Sequence, residues 1–365
     1  MPGDLSARAF TQPDALVPLF LDDGIRLQQV SSGVAIRLGE DELFILCAAH
    51  VTDLLTQGLL CLPTSGGITG IKGAHGGVRL PRGMARSSDK DDIAYLRLNA
   101  SFAETLDSRI RPLDREDVHL HETLVEDDIY TFGGYPISKS KTSAAHSETE
   151  VFLYTGAAAA PVKYQTLAYN PSTHILINFN RKTSRTPDGE HRIPPHPKGI
   201  SGGGVFAWRK DWAERRSTAG GGHLVAIGHS YLAQHHCLVG TRIHLHLYLI
   251  AKAFPHLLKT LDLPDEESGV PLFMTMIWYP RAEWELMRKD FVDADKYPLS
   301  WNDWRHRAEK GLETLGSRGT VMIPIELSRS EIAAYCRDKN IPNDSQARLG
   351  LANEKLMRQV RAGDL

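Results

Sequence analysis

Cysteine is scarce in this chain. There are four in 365 residues, Cys47, Cys61, Cys237 and Cys336, and no two stand in C-x-x-C spacing. A disulfide framework is thereby excluded. No stretch approaches the roughly 20 apolar residues that a membrane helix needs. Charge of one sign is missing too: 42 Lys and Arg stand against 44 Asp and Glu. That balance builds neither the basic surface that nucleic acid requires nor a membrane-binding patch. The opening Met1-Pro2-Gly3-Asp4-Leu5 carries neither a basic stretch nor a long apolar run, so no secretory leader is read there. With so little cysteine, this points to the cytoplasm. The glycine-rich stretch from Thr64 to Gly77 lacks the G-K-[ST] ending of a phosphate loop and reads as a hairpin region.

What is present is more telling. Gly199-Ile200-Ser201 is followed by Gly202-Gly203-Gly204, with Cys47-Ala48-Ala49-His50 and Asp91-Asp92-Ile93-Ala94 upstream. A serine hydroxyl needs an adjacent base to act as a nucleophile at neutral pH. An imidazole can take that proton and return it to a leaving group, and a carboxylate can hold the imidazole in the right tautomer. Glycines let the chain turn tightly around the serine. Such a turn could aim the N–H groups of Gly199 and Ser201 at one developing oxyanion.

Local patterns place these residues. Leu43 to Ala49 is an apolar run that reads as a buried strand, with His50 where the chain leaves it. Asp92 lies between a polar stretch, Ser87 to Asp91, and an alternating strand, Ile93 to Leu98. Asp89 and Asp91 read as solvated loop residues. The G-x-S-x-G spacing also fits the nucleophile elbow of α/β-hydrolases, with a downstream histidine among His229, His235, His236, His244 and His246 as base. The elbow needs a strand directly before the serine, and Pro194-Pro195-His196-Pro197-Lys198 cannot be a central strand.

Residues from about 25 to 257 resemble the trypsin-like (chymotrypsin-fold) serine peptidases, especially the bacterial intracellular type. The resemblance rests on His50, Asp92 and Ser201 in that order. It is supported by Ser31-Ser32-Gly33-Val34-Ala35-Ile36, Thr131-Phe132-Gly133-Gly134-Tyr135-Pro136, Gly204-Val205-Phe206, Leu224-Val225-Ala226-Ile227-Gly228 and Gly240-Thr241-Arg242-Ile243. It implies a mainly β fold of two antiparallel six-stranded β-barrels, with His50 and Asp92 from the first and Ser201 from the second. The implied activity is peptide-bond cleavage through an acyl-enzyme, on a polypeptide substrate and without a cofactor. Two other classes stay open: a catalytically silent binding module on the same fold, and an esterase using the same triad.

The departures from the family are informative. Ile200 stands where secreted members carry the Asp that pairs with a freed N-terminus, so activation by N-terminal cleavage is not expected. Pro195 stands six residues before Ser201, where trypsin-type members place the Asp that selects Lys or Arg. His229 falls near the place of a serine that flanks the family's Asp. Pro195, Gly228, His229 and Ser230 are thus the candidate substrate-pocket residues. His235-His236-Cys237 with His244 and His246 could suggest zinc. The Cys adjoins a His rather than being spaced from it, and no metal is assigned.

The domain reading follows composition. Residues 1–24, with Pro2, Pro13 and Pro18, read as an arm, 25–262 as the peptidase domain and 263–271 as a linker. Residues 209–222 look like an exposed hairpin tip. Leu247 to Phe254 reads as a closing helix. Residues 272–365 read as a small C-terminal α/β domain that binds a partner or regulates. In it, Leu272 to Tyr279 and Gly319 to Ile325 are strand candidates. Ser300 and Ser328 cap helices from Trp301 and Arg329, and a last helix spans about Gln346 to Val360.

Overall fold

The structure, a computed structural model, describes residues 13–39, 41–81, 83–120, 129–143, 146–186, 188–208, 222–261, 263, 273–316 and 319–362. The expected hairpin tip at 209–222, apart from Gly222, and nearly all of the expected linker lie outside the described residues. Contacts divide the chain into two units. The first comprises Met1–Gly77, Asp92–Leu167 and Pro171–Leu263, and the second Val78–Asp91, Ala168–Asn170 and Pro264–Leu365.

The first unit is built on two antiparallel sheets. One holds β1 (Leu16–Asp22), β2 (Leu27–Leu38), β3 (Glu42–Ala48), β4 (Leu59–Thr64), β5 (Gly67–Gly70), β6 (Gly73–Gly77) and β7 (Ile93–Leu98), in the order β5-β4-β1-β2-β3-β7-β6. The other is drawn from the later strands. After β8 (Ile129–Gly134) comes a separate hairpin, β9 (Ser140–Ser143) and β10 (His146–Thr149). Then follow β11 (Phe152–Ala157), β12 (His174–Asn178), β13 (Gly204–Trp208), β14 (Gly222–Leu232) and β15 (Cys237–Arg242). Their order is β11-β8-β13-β14-β15-β12.

Two expectations need correction. The sheets are curled but not closed six-stranded barrels: the first has seven strands, and each strand order has two ends. An isolated bridge, Ala158 to Ile177, and a bond from Asn178 Nδ2 to the Ala158 carbonyl tie the β11 end of the second sheet to β12 without a continuous ladder. Secondly, part of the supposed arm is β1, which pairs with both β2 and β4. Its burial explains why: Leu16 to Leu21 are buried despite Pro18. The glycine-rich stretch does begin with a hairpin, Thr64 opposite Gly67 between β4 and β5, while β6 pairs with β7 at the other end of the order.

Each sheet keeps its own core. Val17, Ala35, Ile45, Leu62 and Leu96 lead one cluster. Tyr130, Phe132, Ile175, Val205 and Leu238 lead the other. The helix Ile243–Ala253 closes the unit with every residue from Ile243 to Ala251 buried. A helix apolar at most positions all round belongs inside a core, and this one takes His244 and His246 in with it.

In the second unit β16 (Phe273–Trp278) and β17 (Val321–Glu326) pair in parallel. A parallel pair needs a crossover, supplied here by the helices Trp284–Lys289 and Trp301–Gly316. The helices Arg329–Lys339 and Ser345–Ala362 follow. Ser328 and Glu331 form a reciprocal capping box at the start of the former. The aromatics are core: Trp278, Tyr279, Trp284, Phe291 and Trp304 are all buried. Among them Arg348 is fully buried and fully occupied. It donates to Asp293 Oδ1 at 2.7 Å, to the hydroxyls of Tyr279 and Tyr297, and to Asn343, and it lies 3.8 Å from the Phe291 ring centre.

Candidate active site

The three candidate residues come from both sheets of the first unit. His50 sits in the first turn after β3, in the short helix Ala49–Thr52. Asp92 ends the segment before β7. The backbone of Asp92 is left-handed, with φ of 49°, a conformation that costs a non-glycine residue free energy and that Asp tolerates better than most. That conformation lets one residue make three bonds to the His50 turn. Its carbonyl accepts from the Ala49 N–H at 3.0 Å, its Oδ1 from the His50 N–H at 2.9 Å, and its Oδ2 lies 2.6 Å from His50 Nδ1. With Nδ1 held against the carboxylate, the imidazole is fixed in orientation and tautomer.

Burial would push the Asp92 carboxyl up. The hydrogen bonds and charge of His50 outweigh it and hold the group at about 2. The carboxylate is therefore ionised at neutral pH.

Ser201 lies in the turn between Pro197 and Gly204, just before β13. Its carbonyl accepts from the Ser32 N–H at 2.8 Å and from Ser31 Oγ at 2.5 Å. Ser32 Oγ donates to the Gly199 carbonyl at 2.9 Å and accepts from the Tyr135 N–H. Two adjacent serines of β2 thus brace the turn of the other half of the unit. Sequence reading had used them only as a strand signature, because nothing in a Ser-Ser pair states what it will bond.

The turn needs its glycines at two places. Gly199 has φ of +94°, and a side chain there would come within 2.6 Å of Ile137 Cγ1. Gly202 has φ of +83°, and a Cβ would lie 2.1 Å from the Ser32 carbonyl oxygen and 3.3 Å from Cys47 Cα. The second contact brings the Ser201 turn against the strand end that carries His50.

The N–H groups of Gly199 and Ser201 donate to no described residue. Their directions are fixed from behind. The Lys198 carbonyl accepts from the Ile137 N–H at 2.8 Å, and the Ile200 carbonyl from the Gly203 N–H at 2.9 Å. In a planar trans peptide the C=O and N–H point opposite ways. Holding those two carbonyls therefore turns each of the Gly199 and Ser201 N–H groups away from its bonded carbonyl.

The hydroxyl of Ser201 donates to the carbonyl of His229 at 2.9 Å. His229 is the extra residue of a bulge in β14: the β15 register shifts between Gly228 and Ser230, and His229 has no partner in either ladder. Its ring is buried, with Nδ1 2.9 Å from Ser230 Oγ and its centre 6.1 Å from that of His174. Burial pushes its pKa down to about 4, with Asp92 opposing in part. His246, packed against the main chain at Cys47 and Arg242, is pushed down to about 4 in the same way. Both imidazoles are neutral at pH 7.

The other pocket candidates are placed as follows. The Pro195 carbonyl accepts from the Tyr154 hydroxyl at 3.3 Å. Gly228 is locked to the turn by Gly202 N–H to Gly228 O and Gly228 N–H to Gly203 O, and a Cβ on it would meet the Phe132 ring at 2.0 Å. Ser230 serves His229. Sequence reading missed the aromatic wall beside these residues: Tyr154 to Phe179 at 5.2 Å, Phe179 to Tyr231 at 6.1 Å and His196 to Tyr231 at 6.1 Å between ring centres. Its members come from two strands and two loops, so no local pattern announces it.

The histidines weighed for zinc do not converge. His235 and His236 lie on an exposed turn, while His244 and His246 are inside a buried helix. No group of three or more potential ligands forms among the described residues. The elbow reading lacks its strand, since the segment from Ile193 to Gly203 is turn and coil. Among the described residues no helix is long and apolar enough to cross a membrane.

The chain matches no protein-family model, and no curated protein matches its sequence.

Proposed function

We propose that this protein is a serine endopeptidase. His50 is the general base and acid, Asp92 orients it, Ser201 is the nucleophile, and the N–H groups of Gly199 and Ser201 receive the oxyanion. Ser201 Oγ attacks the scissile carbonyl as its proton passes to His50. The tetrahedral oxyanion collapses to an acyl-enzyme as His50 protonates the leaving amine. Water, activated by the same imidazole, then releases the acid. The observation that carries this reading is the conjunction of a 2.6 Å His50–Asp92 contact with two undonated N–H groups flanking a serine in one glycine turn. The fold adds support: two curled antiparallel sheets are compatible with the chymotrypsin-like architecture.

The substrate is an extended polypeptide whose selected side chain is not basic. At Pro195 there is no carboxylate, and the neighbouring wall is aromatic. The chemistry assigned to these residues calls for no cofactor. The C-terminal unit regulates or targets the enzyme by binding a protein partner, and the setting is cytoplasmic.

The test is incubation of the full chain with an unfolded protein, beside the Ser201→Ala variant, with peptides read by mass spectrometry. New cleavage sites lost in the variant support the reading. Ester hydrolysis without any peptide cleavage favours the esterase. Inertness toward both favours a binding module.

A further inference from the structure

The contact between Ser201 and His229 has a consequence for how the nucleophile is released. In this arrangement the Ser201 proton is held by a main-chain carbonyl, at 2.9 Å. A hydroxyl has one proton to donate. While it is given to His229 it is not given to His50, so attack requires the Ser201 hydroxyl to turn from one to the other.

The surroundings of that carbonyl say what could displace the hydroxyl. On one side β14 is paired with β15 as far as Leu232. On the other, β13 accompanies it only from Gly222 to Ile227, and the groups of Gly228 are taken by Gly202 and Gly203. Beyond Gly228 that side of β14 has no strand partner among the described residues. The bulge frees the His229 carbonyl from both ladders. A free strand edge beside a cleft is where an extended peptide adds as a further strand through main-chain hydrogen bonds. The first acceptor such a strand meets past Gly228 is the His229 carbonyl, which already holds the nucleophile.

We propose that His229 is a positioning residue that holds Ser201 in a resting rotamer, and that the backbone N–H of an extended polypeptide releases it by competing for the same carbonyl. This inference rests on the serine-peptidase reading and narrows its substrate class to chains bearing a free N–H on the residue that carries the scissile carbonyl. The peptide N–H takes the carbonyl, the second bond to that oxygen weakens, and the Ser201 hydroxyl turns to His50. Small electrophiles without such an N–H react only from the minor rotamer. No extra co-reactant is involved; only hydrogen bonds are exchanged.

The experiment uses the full chain and a small methylphosphonofluoridate, with the rate of Ser201 phosphonylation read by mass spectrometry. The residue selected in cleavage of an unfolded protein is identified first. An N-acetyl dipeptide is then made in which that residue ends in an ethylamine-type stub, retaining its N–H but lacking the reacting carbonyl. A counterpart carries an N-methyl in place of the N–H. The expected result is that the first peptide accelerates phosphonylation about 2- to 10-fold, the range set by one neutral hydrogen bond, whereas the N-methyl peptide slows it or leaves it unchanged. Labelling at Ser201 that neither peptide accelerates overturns the latch but leaves the peptidase reading standing. Absence of both cleavage and labelling overturns the reading and the latch together.

Discussion

The N–H of Ile137 donates to the carbonyl of Lys198 at 2.8 Å, and through the rigid peptide plane that bond sets where the Gly199 N–H points. Ile137 opens the short helical turn that follows β8 and Pro136. A residue outside the Ser201 turn thereby sets one half of the proposed oxyanion-binding pair.

Gly199→Ala tests that pair. The new methyl would lie 2.6 Å from Ile137 Cγ1 and 2.9 Å from the Ile137 nitrogen, at a φ of +94°. The turn must shift to admit it, and the Lys198–Ile137 bond is the first to go. Peptide cleavage is expected to fall about 100- to 1000-fold, the usual cost of one oxyanion donor. KM should change little, and circular dichroism should report an intact fold.

Asp92 separates chemistry from backbone strain. Asn accepts a positive φ about as well as Asp does, whereas Ala does not. Asp92→Asn should keep the backbone conformation but give up the carboxylate's contribution to stability, and should lose about 10⁴-fold in kcat, because the amide favours the wrong imidazole tautomer. Asp92→Ala should lose comparable activity and, in addition, about 1–2 kcal/mol of stability from the left-handed backbone. Denaturant unfolding of both variants checks the difference.

Acid stability follows from the buried imidazoles. His229 and His246 have folded-state pKa values of about 4, below the unfolded value of about 6.5. Between those values the unfolded chain binds more protons than the folded one, so stability falls as pH drops from about 6.5 to 4. Asp92 acts lower down. Its folded value of about 2 lies under its usual 3.8, so its contribution is complete above pH 3.8 and is lost as pH falls toward 2. Melting temperature against pH should therefore decline in two stages. His246→Gln should flatten the upper stage only.

Arg348 sets the stability of the second unit. Arg348→Ala removes a fully buried guanidinium and leaves Asp293, whose side chain is 8% exposed, without its partner. Breaking a buried pair in this way costs about 3–5 kcal/mol. Limited proteolysis should cut between residues 273 and 362 in the variant at a protease level that leaves the parent whole.

Much of the first unit was legible because its signals are local. An apolar run ending at His50, a polar-to-strand junction at Asp92 and a glycine turn at Ser201 are each written in a few consecutive residues. The strands of the second unit were legible for the same reason, with Ser300 and Ser328 marking helix starts. Sheet closure was not, because whether the last strands meet depends on pairings far apart in sequence. Pro18 misled the reading of residues 1–24: it falls in a strand whose burial outweighs the one missing donor. The bracing by Ser31 and Ser32 and the bulge that frees the His229 carbonyl also escaped, since both arise from partners about 170 and 10 residues away.

The central claim is that Ser201 is an activated nucleophile. Its most direct measurement is labelling of the purified full chain with a fluorophosphonate, followed by site mapping, beside His50→Ala and Ser201→Ala. The account predicts one adduct, on Ser201, absent from both variants. A folded parent that carries no adduct on Ser201, even with an unfolded polypeptide present, would contradict it.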